Sequence, residues 1–262
     1  MPEKFIAVRR DPHMHPVAAA TDSVEETRAA LVADAPNNVP VEDLESLGLE
    51  VLDPCQHARE GDNSLWPLCY LDAYVVETHD PQLARKAKEL LEPEYILVPD
   101  AEMHLSAPRR GPTYLGIPRD YQGWPEASGV PQAHAGGVKG KGALVCVLDT
   151  GVDADHRELR RKVIDFRYIP LDPKTGAVRT CRGFDSDGHG THVCGIIAGE
   201  NVGVAPEAEL MVAAVLESET LRTSLERVVV ALNWVLAQFE NPANRDKAVI
   251  VNMSLGFTRA QL

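Results

Sequence analysis

The sequence predicts an α/β protein whose larger part is a doubly wound parallel sheet, preceded by a smaller α+β unit. Beyond residue 142, apolar runs of strand length ("ALVCVLD", "AELMVAAVL", "AVIVNM") alternate with helical patterns. Strands buried on both faces of a parallel sheet read this way. Before residue 100 the segments are shorter and switch between strand and helix periods. A chain of 262 residues that is 44% hydrophobic can bury one large core or two ordinary ones.

In order, "KFIAVRR" reads as a first strand. "TDSVEETRAALVADAP" reads as a helix, with Asp22 or Ser23 to cap it, acidic residues in its first turn and Pro36 past its end. "LGLEVLD" is a short second strand and "LCYLDAYVVET" a stronger third. "DPQLARKAKELLEP" is a helix opened by an Asp-Pro pair and closed before Pro93, and "EYILVP" is a last strand. This βαββαβ order is the ferredoxin-like arrangement of a small sheet backed by two helices. Residues 106–135 are dense in Pro and Gly without a sustained period and read as a linker in which processing is expected. Residues 1–105 and 136–262 are then the two domains. In the second, "ALVCVLD" is a central strand and "THVCGIIAG" a helix with small residues for close packing, followed by the strand "AELMVAAVL". "SETLRTSLERVVVALNWVLAQFEN" is a long helix with Leu225, Val228, Val229, Leu232, Val235 and Leu236 at helical spacing, and "AVIVNMSLG" is a third central strand.

Acidic residues outnumber basic ones by 39 to 26, and the net charge of −13 repels a phosphate backbone, which argues against nucleic acid as a partner. No apolar run approaches the ~20 residues of a membrane span, and the amino terminus lacks a basic start followed by an apolar core. The expectation is a cytoplasmic protein, or one exported without a classical signal peptide. The five cysteines (Cys55, Cys69, Cys146, Cys181 and Cys194) form no CxxC pair and read as free thiols, mostly buried.

Asp149 ends the first buried strand, and ligands and reacting groups gather outside the carboxyl ends of strands in an open parallel sheet. Taken alone, such an acid caps a helix or faces water as readily. Forty residues on, His189 lies between two glycines just before an apolar helix, which leaves its imidazole open to a cleft. A second reading joins His189 and His192 with Asp185 or Asp187 at a metal, but no further ligand cluster follows downstream, so no metal is assigned. Nucleotide binding is disfavoured because no GxGxxG follows "ALVCVLD".

Together, "VLDTGVDADHREL", "DSDGHGTHVCGIIAG" and "VNMSLG" resemble, in order, three successive motifs of the subtilisin-like serine proteases. The resemblance covers residues 124–262. It implies a subtilisin-like sheet, incomplete in this chain, with Asp149 orienting the imidazole and His189 as the general base. It implies that His192 is structural, packed behind the site. It also implies that Ser254, Leu255 and Gly256 form the edge that pairs with an extended protein or peptide substrate. Cys194 stands where the family usually has alanine, placing a thiol near the site. Residues 1–105 resemble the prodomain that such proteases carry, which blocks the cleft with its carboxyl-terminal tail. Calcium often stabilises the family, but no acidic cluster marks a site, so no cofactor is assigned.

The family's "GTSMA"-like serine turn and "AAGN"-like asparagine do not occur, and none of the nine serines has the required setting. The expectation is therefore a serine endopeptidase whose prodomain, Asp and His lie in this chain, with the Ser and oxyanion Asn in a missing segment or second polypeptide. Alone, the chain is expected to be inactive. The alternative is a catalytically inactive, subtilase-like peptide-binding or regulatory protein.

Overall fold

The computed structural model describes residues 2–10, 41–51, 63–68, 70–105, 124–170, 182–217 and 222–257. They divide into two compact units, the first comprising Met1–Glu102, Pro170–Val178 and Ser224–Arg245, the second Met103–Ile169, Arg179–Thr223 and Asp246–Leu262. The expected helix over "TDSVEETRAALVADAP", most of the expected linker, and Cys55, Cys69 and Cys181 lie outside the described residues.

The first unit holds a five-stranded sheet in the order β2-β3-β4-β1-β5. Its strands are β1 (Glu3–Arg9), β2 (Glu50–Val51), β3 (Asn63–Leu68), β4 (Ala73–Thr78) and β5 (Tyr95–Pro99). One strand is more than the sequence pattern predicts. "LCYLDAYVVET" is not one strand: its start closes β3, and its end is β4. Between them the chain turns through Leu71 N–H donating to Leu68 O and through Asp72, whose φ is 48°. The rest of β3, "NSLWP", escaped notice because Pro67 reads as a breaker. Phe5, Leu65, Tyr74 and Val76 form a core with Leu44 of α1 (Val41–Ser46) and with Leu83, Ala87 and Leu91 of α2 (Pro81–Leu91). The start of α2 is as the sequence predicts, with Pro81 in its first turn and Asp80 accepting the Gln82 N–H at 2.8 Å.

Also in this unit is the long helix, α5 (Leu225–Ala237). It starts later than its sequence pattern suggests, because Ser224 caps it by accepting the Arg227 N–H. The predicted apolar face splits in two. Val228 and Val235 are buried together with Val230, Ala231 and Trp234, whereas Leu225, Val229, Leu232 and Leu236 form a half-buried stripe. A helix apolar nearly all round does not reveal its buried face by periodicity. Lys4 of β1 donates to Glu226 at 2.6 Å, and Asp100 accepts the Glu226 N–H at 3.0 Å.

The second unit is built on a parallel four-stranded sheet in the order β11-β7-β9-β8. It contains the short helix α3 (Val130–Ala135), and its strands are β7 (Ala143–Asp149), β8 (Ile164–Tyr168), β9 (Glu209–Ala214) and β11 (Ala248–Met253). β8, "IDFRY", was not expected, since it is short and follows a charged run. Valines 145 and 147 of β7 and Leu210 and Val212 of β9 pack on Cys194 and Ala198 of α4 (His189–Ala198). Residues two apart on a strand share a face, so Leu144, Cys146 and Leu148 fill the other one, and all are buried. β11 was expected as a central strand. Among the described residues it lies at the sheet edge, and Ile250, Val251 and Met253 are exposed.

A smaller sheet has the order β10-β6-β12, with β10 at Arg222–Ser224, β6 at Glu102–Leu105 and β12 at Leu255–Phe257. Within the second unit, β12 runs antiparallel to β6 and pairs Leu255 with Leu105, Gly256 with His104 and Phe257 with Met103.

Candidate active site

Parallel register brings Asp149, the last residue of β7, level with Ala214 of β9, at the carboxyl end of the sheet. Its side chain is fully buried. Oδ1 accepts the Thr150 N–H at 2.7 Å and lies 2.8 Å from His189 Nδ1. Oδ2 is buried with no hydrogen-bond partner among the described residues. A carboxylate only accepts, so Nδ1 carries the proton in this pair and Nε2 of the neutral ring keeps its lone pair. The His189 side chain retains 17% exposure.

His189 is the first residue of α4 rather than part of the preceding loop. Gly188 precedes it with φ 99°, so the helix lacks a conventional side-chain cap. The unpaired N–H groups of a helix start must nonetheless find acceptors. Thr150 Oγ1 takes the Gly190 N–H at 3.0 Å, and Asp185 Oδ2 takes the Thr191 N–H at 2.7 Å. Asp185 Oδ2 also accepts from Thr191 Oγ1 at 2.5 Å, while Oδ1 accepts from Thr150 Oγ1 at 2.8 Å, Gly188 N at 2.9 Å and Asp187 N at 3.1 Å. Burial pushes the Asp185 carboxyl up. The bonds from Thr191 Oγ1 and from the Gly188, Thr191 and Asp187 N–H groups outweigh that and hold it below its ordinary range. Gly190 packs against Gly151: a Cβ at Gly190 would lie 2.1 Å from Gly151 O.

Cys194 is fully buried in the core beneath the pair, and burial, with the charges of Asp149 and Asp185 adding to it, pushes its thiol up to about 12. His192 departs from expectation: it is exposed instead of packed behind the site. It lines a surface cavity of about 900 Å³ with Trp124, His156, Glu158, Ile196 and Val202. Leu255 and Gly256 lie in β12, and Ser254, just before it, accepts from Asn252 Nδ2 at 3.4 Å.

The metal reading of this loop does not fit the geometry. Asp185 is saturated by five protein donors and His189 Nδ1 faces Asp149. Among the described residues no group of three or more His, Cys, Asp or Glu could hold a metal ion. Among them, too, no helix is long and apolar enough to cross a membrane. Thr150, Thr191 and the bracing role of Asp185 were missed from sequence. The only signal was an acid four residues before the histidine, which reads equally well as a loop polar residue.

An Asp–His pair at the carboxyl end of a parallel sheet, the His opening a helix of small residues, marks an α/β protein with a carboxylate-held imidazole where open sheets of this class gather their reacting groups. Residues 140–261 match the model of the Subtilase family. The chain is 44% identical over 211 residues to the Subtilisin-like protease PopC of Myxococcus xanthus strain DK1622, a match covering 76% of this chain and 43% of that protein. It is 37% identical over 133 residues to the Major intracellular serine protease of Bacillus subtilis strain 168, covering 48% of this chain and 38% of that protein. Fervidolysin from Fervidobacterium pennivorans, a keratinolytic enzyme related to subtilisin, shares the fold with a TM-score of 0.54 at 19% identity, over 100% of this chain and 37% of that one. The chain thus spans less than half the length of these relatives.

Proposed function

We propose that this chain supplies the prodomain and the Asp149–His189 pair of a subtilisin-like serine endopeptidase. The observation that carries the reading is His189 Nδ1 held 2.8 Å from Asp149 Oδ1, with Nε2 left as the base. In this mechanism a serine hydroxyl gives its proton to Nε2 while its oxygen bonds to the scissile carbonyl carbon. Asp149 stabilises the imidazolium that forms. The imidazolium then returns the proton to the leaving amine as the C–N bond breaks, and water repeats the cycle on the acyl-enzyme. The serine and the oxyanion asparagine come from a separate or missing segment. The exposed Ile250, Val251 and Met253 on β11 support that part, because a parallel strand is normally covered on both faces.

The pairing of β6 with β12 supports the substrate-edge role of Ser254, Leu255 and Gly256 and the prodomain reading of residues 1–105. An antiparallel strand added to Leu255–Phe257 is how a peptide substrate would dock. β6, the end of the proposed prodomain, then occupies the edge in the manner of a substrate. Processing after Leu105, in the 106–135 linker, would release it.

The test is reaction of the purified full-length protein with a fluorophosphonate, which labels only activated serines. One labelled serine in the wild type, lost in His189→Ala, is expected. Absence of labelling after proteolytic release of residues 1–105, or labelling that survives His189→Ala, refutes the mechanism.

A further inference from the structure

We propose that Asp185 is a positioning residue that sets the distance between Asp149 and His189; this rests on the reading of His189 as general base. The two side chains come from separate elements, the end of β7 and the start of α4, so something must fix one element to the other. Asp185 reaches both. On the strand side it accepts the hydroxyl of Thr150, the residue next to Asp149, and its own backbone bridges to Gly151. On the helix side it accepts both the N–H and the hydroxyl of Thr191 and the N–H of Gly188, the residues flanking His189 and Gly190.

The hydrogen-bond polarity makes the carboxylate form necessary. With both hydroxyl protons drawn to Asp185, the lone pairs of Thr150 Oγ1 face the Gly190 N–H at 3.0 Å, and those of Thr191 Oγ1 face the Asp153 N–H at 2.8 Å. One acceptor thereby orients two hydroxyls, and each holds a backbone N–H of another segment. An Asn in the same place keeps the shape but turns an NH2 group toward donors, whichever way its amide is set. Asp185 does not touch the reacting atoms and acts only through the placement of His189.

The experiment uses the full-length protein bearing its serine. It compares wild type, Asp185→Asn and the control Glu158→Gln, which removes a carboxylate that accepts the Asn201 N–H at 2.8 Å away from the pair. The measurements are kcat and KM on a peptide substrate, Tm, and the downfield proton resonance of His189 Nδ1–H. For Asp185→Asn, kcat is expected to fall about 100-fold with KM within about twofold, as a displacement near 1 Å in a catalytic pair would give. The downfield resonance is expected to shift or broaden. Glu158→Gln is expected to lower Tm without moving kcat or the resonance. Unchanged kcat and resonance in Asp185→Asn overturn the proposal, as does an equal kcat loss in Glu158→Gln. Should Asp185→Asn not fold, Thr150→Val removes the strand-side link. A fall in its kcat at unchanged KM supports the role, and wild-type kcat overturns it. Activity surviving in His189→Ala would instead defeat the general-base reading, and so separates the two failures.

Discussion

Substituting Gly190 by Ala sets two effects against each other. In a helix interior, Ala is favoured over Gly by about 1 kcal/mol. Here, however, the new Cβ would lie 2.1 Å from Gly151 O, 3.0 Å from Gly151 N and 3.1 Å from Gly151 C. All three are backbone atoms, so no side chain can swing away. The start of α4 and the end of β7 must separate by about 1 Å, and overpacking of that kind costs about 1–3 kcal/mol or more. The overlap wins, leaving a net loss of up to about 2 kcal/mol and a Tm lower by up to roughly 4–8 °C at this chain length. The same two segments carry His189 and Asp149, so on the proposed mechanism activity of the full-length protein should fall about 100-fold. Gly195→Ala in the same helix is the matched comparison. Nothing lies within 4 Å of a Cβ there, so propensity acts alone and the protein should be stabilised by up to about 1 kcal/mol. Calorimetric unfolding of both variants decides the matter: a Tm for Gly190→Ala at or above wild type would refute the steric reasoning.

Three further outcomes are expected. Asp185 and Glu158 are both held below the ordinary carboxylate range, so the unfolded chain takes up their protons first as pH falls. Their contribution is full above about pH 4.5 and is lost below it, and urea midpoints from pH 6 to pH 3 should fall more steeply for wild type than for Glu158→Gln. Burial pushes the thiols of Cys146 and Cys194 up to about 12, so peptide mapping after native labelling with a thiol reagent should find both unmodified and labelled only after denaturation. Asp80→Ala removes the acceptor of the Gln82 N–H at the start of α2 and should cost about 1 kcal/mol in chemical denaturation; no loss would mean the cap is dispensable.

What the sequence made legible followed from strong local signals. Asp149 and His189 were candidates because a run buried on both faces must end somewhere and because glycines bracket the histidine, but it was the resemblance carried by three successive motifs that singled them out as a pair. The start of α2 was legible because Asp-Pro fixes both the cap and the first helical φ. β3 was hidden by Pro67, and β8 by its brevity after a charged run. The edge position of β11 could not be read, since an apolar strand looks the same at the edge and in the middle of a sheet. His192 was misplaced because its exposure depends on how α4 is rotated, which the Gly190–Gly151 contact and the two threonine hydroxyls decide. Those are contacts between segments about forty residues apart, and no local pattern encodes them.

The pairing of β6 with β12 has a kinetic meaning as well as a geometric one. Both strands belong to one polypeptide, so β6 competes for that edge at an effective concentration of about millimolar, whatever the dilution of the protein. On the proposed reading of this edge as the substrate strand, a peptide that binds it in the micromolar range must overcome this local excess before it gains a foothold. One cut between Leu105 and Trp124 changes the order of the reaction: rebinding of β6 becomes bimolecular, and occupancy of the edge starts to depend on protein concentration. Dilution after cleavage, rather than cleavage itself, would then open the edge.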